Sequence, residues 1–371
     1  MTKAAELAKM GEVLTNSQIG GRRNIIINGA MQIAQRGTSA SGLGGTNNDY
    51  QTVDRFKIIG GTAISGRVTM SQSDSGLSGF KKCLKLDVTT ADTSIGASEL
   101  FGLVTAIEGK DLQQLKKGTS DAEQVTVSYY VKGNAAANYT FEISDADNTR
   151  HNTQSFSVTS DWTRVVHTFA ADTTGALDND NATSFSLAWW LHAGSNFTSG
   201  TFTENTWASR TTANRVDSND TSIFDSTDRT FEITGVQMEV GSVATPFEHR
   251  SPNDELTLCQ RYYQQLGSFP IVIIGGNNCQ GVTQARVIMR SAPTVSTSGN
   301  TGRITDCNAS DFESSALNPA VTANAYTQTD VGWVSARFQG FGFSGSPTSG
   351  DPGVFLPTGT SGKPLEMDAE V

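Results

Sequence analysis

The side chains that could do chemistry in this 371-residue sequence are few and poorly spaced for it. Its four histidines, His151, His167, His192 and His249, form neither an HxxH nor an HExxH pair, so each reads as a surface or strand residue and not as a zinc ligand. Cys83, Cys259, Cys279 and Cys307 are scattered without a CxxC pair and read as buried reduced thiols. There is no GxSxG elbow and no Gly-Lys-Ser/Thr loop. The cluster Gly42, Gly44 and Gly45 lacks the following lysine and helix of a phosphate site, so it reads as a turn. Cleaving a glycosidic bond needs two carboxylates about 5–10 Å apart across a groove. Glu142 with Asp145, or Asp178 with Asp180, can be nominated, but acids at strand ends and turns are usually solvated. The stretches Asp145-Ala146-Asp147-Asn148 and Asp178-Asn179-Asp180-Asn181 offer oxygens to calcium without the glycine and distal glutamate of an EF-hand loop. The expectation is a chain that is not an enzyme and has no cofactor, structural calcium being the one metal with candidate ligands.

The elements that would hold these side chains are strands. Charged residues make up only 17%, while glycine stands at 37, a profile that suits short strands and many polar turns. In Val125–Lys132, residues Val125, Val127, Tyr129 and Val131 share one face, with Tyr130 and Lys132 on the other. In Phe185–His192 the inward set is Phe185, Leu187, Trp189 and Leu191, and Trp190 and His192 point outward. Further strands are expected at 54–59, 82–88, 139–144, 163–169 and 230–240, with loops at 172–182 and 195–228. Many short strands, each with one apolar face, predict a two-sheet sandwich.

Two helical segments flank that region. Leu7, Met10 and Leu14 carry coiled-coil spacing, a seam too short to stand alone, which marks 1–23 as an attachment segment. Ser251-Pro252-Asn253-Asp254 is a helix start, and the stripe Leu256, Cys259 and Tyr263 carries a hinge helix over 251–266. Beyond it, strands at 269–274, 283–289, 325–330, 333–343 and 364–371 predict a smaller C-terminal β domain, 267–371. The net charge of -10 argues against nucleic acid or anionic lipid as a partner. No apolar run approaches eighteen residues and the first twelve lack a signal peptide's apolar region, so neither membrane insertion nor signal-directed export is expected.

Two stretches carry a resemblance. Asn24-Ile-Ile-Ile-Asn-Gly-Ala-Met-Gln-Ile-Ala-Gln-Arg-Gly37, followed by Thr52-Val-Asp-Arg-Phe56, resembles the opening of a family of tailed-bacteriophage virion proteins found in marine phages and cyanophages. Those proteins are described as tail-fibre or carbohydrate-binding-module-like. Ile233-Thr-Gly-Val-Gln-Met-Glu-Val240, running on through Ala244-Thr-Pro-Phe-Glu-His-Arg250 to Glu255 and Cys259-Gln-Arg-Tyr-Tyr263, resembles the closing signature of the same family. Met238 and Tyr130 stand where that family often shows leucine and tryptophan. The resemblance implies an all-β protein with a jelly-roll sandwich over 24–250, carried on a virion as a homotrimer. It would be made in the host cytoplasm, contact other tail or head proteins through Leu7, Met10 and Leu14, and adhere to a host-surface glycan. A glycan-depolymerising tailspike and a purely architectural head fibre or decoration protein are the alternatives. If the strands of Tyr130 and Trp190 share a sheet, Tyr130, Trp190 and His192 would form a common platform for sugar rings, with Lys132 and Arg164 binding hydroxyls or acidic groups.

Overall fold

The computed structural model describes residues 3–4, 23–45, 49–61, 63–275, 278–291, 293–296, 302–306, 311–312, 322–324, 333–339, 352–357 and 365–370. The chain divides into two compact units, Met1–Pro252 together with Val371, and Asn253–Glu370.

The first unit is a jelly-roll sandwich of two six-stranded antiparallel sheets. Its strands are β1 (Ser39–Leu43), β2 (Lys57–Gly60), β3 (Arg67–Asp74), β4 (Lys82–Thr90), β5 (Leu100–Glu108), β6 (Val125–Gly133), β7 (Ala137–Asp145), β8 (Arg150–Val158), β9 (Thr163–Phe169), β10 (Thr183–Ala193), β11 (Ala208–Ser209) and β12 (Thr230–Val240). The first sheet runs β1-β3-β4-β12-β6-β9 and the second β11-β8-β7-β10-β5-β2. The inward sets read from alternation hold: Val125, Val127, Tyr129 and Val131 are buried from one side and Phe185, Leu187, Trp189 and Leu191 from the other. Tyr129 and Phe141 meet Trp189 with ring centroids 5.4 and 5.1 Å away, an aromatic centre between the sheets.

One irregularity organises this unit. Pairing of β12 with β6 slips between Thr234 and Gln237, a bulge in which Gly235 takes φ +64°. The slip frees the backbone around Val236 for the start of the sandwich. The Asn24 carboxamide donates to Val236 O (3.1 Å) and accepts from Met238 N (3.1 Å) and Ile26 N (3.0 Å). Ile25 N donates to Met238 O and Val236 N to Gly29 O, each at 2.9 Å. A Cβ on Gly29 would lie 2.0 Å from Val236 O, so only glycine lets the chain approach. Glu248 accepts from Asn24 N (2.7 Å), and Arg250 donates to Ile26 O (2.9 Å) and to Asn24 O. The two stretches that carry the resemblance are therefore opposite halves of one clasp.

Expected boundaries shift in places. Strand 54–59 shortens to Lys57–Gly60, because Asp54 accepts both Gln35 N and Gln35 Nε2, and Arg55 donates to Ala106 O. The loop 195–228 contains the helical turn α1 (Ser195–Thr198) and β11. The expected hinge helix, α2, spans Pro252–Gln260; Tyr263–Leu266 is instead a strand paired with Leu365–Asp368. In the second unit a three-stranded sheet forms from Tyr263–Leu266, Leu365–Asp368 and Thr294–Ser296. A seven-stranded sheet includes Phe269–Gly275, Asn278–Gln284 and Trp333–Gln339. The expected strand at 283–289 is thus displaced toward the N-terminus, and the one at 325–330 lies outside the described residues. No helix among the described residues is long and apolar enough to cross a membrane.

Asn24→Ala removes three side-chain hydrogen bonds and takes their partner from one backbone carbonyl, Val236 O, and two amides, Met238 N and Ile26 N. Its expected cost is about 2–4 kcal/mol of sandwich stability, read as a lower denaturation midpoint; a loss under about 0.5 kcal/mol would show that the clasp is dispensable.

Candidate functional site

On β6, Tyr130 and Lys132 point away from the sheet interface and stay half-buried, while their inward neighbours are closed off. Four segments converge on them. The β3–β4 turn is locked by Ser75, whose hydroxyl donates to Phe80 O (2.5 Å) and accepts from Leu77 N (3.0 Å). That turn presents Phe80 with its ring 5.4 Å from Tyr130, 5.1 Å from Phe247 and 5.3 Å from His249. A Cβ at Gly235 would meet Phe80 at 2.8 Å and Tyr130 at 3.0 Å, so both rings lie on the bare backbone of the bulge. From the β8–β9 turn, the Trp162 indole N–H donates to Ser75 O (2.9 Å), and the Lys132 ammonium stands 5.9 Å from its ring centre. Tyr130, Trp162 and Phe247 are half-buried and His249 is exposed.

The other half of this face is roofed. The strap 241–250 crosses it, with Gly241 O accepting from Thr126 Oγ1 (2.8 Å) and Thr245 bonded to Glu239 through N (2.9 Å) and Oγ1 (2.6 Å). Arg164 is spent there: it donates to Ser128 Oγ (3.2 Å) and to Thr245 O, so it holds the strap and does not face solvent as a ligand group. What stays open is an aromatic ledge running from His249 and Phe247 through Tyr130 to Lys132 and Trp162, with the buried Phe80 packed beneath it.

Trp190 and His192 do not belong to it. Their strand, β10, lies in the second sheet and Tyr130's in the first, so the expected common platform does not form. Trp190 does point away from the interface, but the segment after β10 covers it, and it is 1% exposed. Its indole N–H donates to Glu142 Oε2 (2.8 Å), and the Arg215 guanidinium lies 4.6 Å from its ring centre. His192 is closed in between Ser222 Oγ, 2.7 Å from Nδ1, and Glu99 Oε2, 3.3 Å from Nε2. The connectivity is that of an acyl-transfer triad. Yet Ser222 Oγ already accepts from Phe224 N (3.0 Å) as the cap of a 3-10 turn, and the imidazole side chain has no exposed surface.

The nominated acids of β7 are equally committed, while Asp178 and Asp180 are exposed turn residues. Glu142 and Asp145, three apart on β7, face opposite sides of the sheet. Burial would raise the Glu142 carboxyl, but the His151 hydrogen bond and the Arg215 charge outweigh it and hold the pKa at about 2, useless for proton donation near neutrality. Asp145 and Asp172 face the buried ammonium of Lys117 at 2.6 and 3.1 Å, and Thr174 O and Gly175 O complete its shell at 2.8 and 2.9 Å. A lysine thus stands among the oxygens nominated for calcium at Asp145. Asp180 Oδ1 caps its own turn on Ala182 N (2.8 Å), and Asp147 Oδ2 accepts from Asp178 N (2.9 Å). No group of three or more metal-ligating side chains occurs among the described residues. His167 is a core residue, stacked on Phe141, and burial lowers its pKa to about 4, keeping it neutral.

No family model and no curated protein matches the sequence. Solved carbohydrate-binding modules align with a little over half of the chain. A family 4 module is 13% identical over 57% of this chain and 97% of its own, with a TM-score of 0.30. The family 11 module of Clostridium thermocellum is 12% identical over 56% and 98%, TM-score 0.28. A family 22 xylan-binding domain from Paenibacillus barcinonensis is 14% identical over 56% and 94%, TM-score 0.26. At these scores the likeness assigns the chain neither a family nor a ligand.

Of the expected ligand residues, then, Tyr130 and Lys132 share an open surface, Arg164 supports its strap, and Trp190 and His192 are interior. Leu7, Met10 and Leu14 lie outside the described residues. Phe80, Trp162 and Phe247 join the ledge without having been read as site residues. The glycine-flanked turn before Phe80 and the Asp-Trp pair between β8 and β9 were the available signals, since large aromatics in polar turns need a surface to cover.

Proposed function

We propose that this chain is a non-catalytic, glycan-adhering appendage protein of a tailed-phage virion, and that the aromatic ledge of the first sheet is its contact surface. The ledge carries the reading. Sugar rings bind by laying C–H faces on aromatic rings held rigidly at a surface, and the indole of Trp162 is fixed by Ser75 while Tyr130 is fixed by Phe80 and the bulge. The virion assignment is supported by the sequence resemblance, whose two signatures meet in the clasp. Against depolymerisation stands the commitment of the buried Glu142 to Arg215 and of the buried Asp145 to Lys117.

Electrophoresis of the full chain through gels containing xylan, mixed-linkage β-glucan, dextran or alginate tests adhesion. Retardation on at least one polysaccharide is expected, lost about tenfold in Trp162→Ala, the worth of one stacked ring. Unchanged mobility on all four would overturn the reading.

The same resemblance supports a homotrimer, and the coiled-coil spacing of Leu7, Met10 and Leu14 supplies its candidate seam. Sedimentation should give three chains' mass; a single species at 39.4 kDa across micromolar concentrations would remove the trimer.

A further inference from the structure

We infer that the ledge selects acidic glycans, and that Lys132 reads the carboxylate; this rests on the adhesive reading above and names its ligand class. The argument is one of elimination among the cations near the ledge. Lys81 and Lys82 both pair with Asp74, at 3.1 and 2.8 Å. Lys85 pairs with Asp87 at 3.0 Å. Arg164 and Arg250 donate to backbone carbonyls of the strap and the clasp. Lys132 differs from all of these: its ammonium has the Trp162 ring beside it and makes no ion pair among the described residues.

Two carboxylates lie nearby without pairing to it. Glu232, across from Lys132 in the β12–β6 register, also stands across from Lys85 on the other side of β12, and takes the weak Cys83 Sγ bond at 3.7 Å. Asp161, exposed in the Trp162 turn, has no ion pair with Lys132 either. A half-buried ammonium standing over a fixed indole is placed to take the carboxylate of a uronic-type residue whose sugar face lies on the neighbouring Tyr130. Partial shielding by the ring gives such a contact more weight than one in open solvent. In a chain of net charge -10, an acidic polymer is repelled on average, so only a local cation can make this surface prefer one.

The test uses an alginate hexasaccharide and its carboxyl-reduced, neutral counterpart, titrated calorimetrically into the full chain at low and moderate salt. The expected result is about fivefold tighter binding of the acidic form at low salt, the worth of one exposed ion pair. That advantage should shrink as salt rises and vanish in Lys132→Met, which keeps the aromatic contact. Asp161→Asn, by removing a nearby negative charge, should enlarge it. Equal binding of the two forms, or an acid preference that survives Lys132→Met, would overturn the inference. Binding to xylan or β-glucan with none to alginate would sink the acidic preference and leave the adhesive reading standing. Failure on every polysaccharide would remove both.

Discussion

The clasp at Val236 is the contact on which the rest of the sandwich depends. Residues 24–29 and 236–250 are more than two hundred positions apart, yet the Asn24 carboxamide, Gly29 and the Glu248 carboxylate tie them edge to edge. The bulge that permits this also builds the ledge. On one side Val236 turns its amide and carbonyl to the N-terminal stretch; on the other, the bare Cα of Gly235 gives Phe80 and Tyr130 a place to lie. Fold closure and surface shape thus follow from a single extra residue in β12.

A second constraint sorts the charged groups. Burying a carboxylate is tolerable only when cations and hydrogen bonds surround it. Glu142 has Arg215, His151 and Trp190; Asp145 has Lys117; Asp172 has Lys117 and Arg150. These networks fasten the loops that close the second sheet, and in doing so use up the side chains that look most like chemistry in the sequence. The first sheet is roofed over only part of its width. Its open part is lined by rings and by the Lys132 ammonium.

Strand type and facing were legible in most strands with one apolar side, although the short alternation of Val68 and Met70 in Arg67–Asp74 was passed over. Val125–Gly133, Thr163–Phe169, Thr183–Ala193 and Thr230–Val240 lie where alternation puts them. Strands without that contrast were not legible. Ser39–Leu43 is a polar edge, Arg150–Val158 is rich in polar residues, and Leu100–Glu108 is buried almost throughout because a loop covers its outer face as the core covers its inner one. Alternation says which way a side chain points, not what lies over it. Trp190 points outward as expected and is nonetheless interior, because Phe197, Val216 and Arg215 of the long segment that follows its own strand fold over it. Nor does it say which sheet a strand joins, the fact that separates Tyr130 from Trp190. The ledge is assembled from one strand, two turns and a strap, so its residues carry no common spacing to be read.

Hydrogen–deuterium exchange of the full chain, with and without whichever polysaccharide retards it most, tests the central claim most directly: adhesion occurs on the open half of the first sheet. The account predicts slowed exchange at 75–81, 130–132, 159–163 and 245–249, with 194–222 over the second sheet unchanged. Protection confined to 194–222, or absent from the ledge segments, would contradict it.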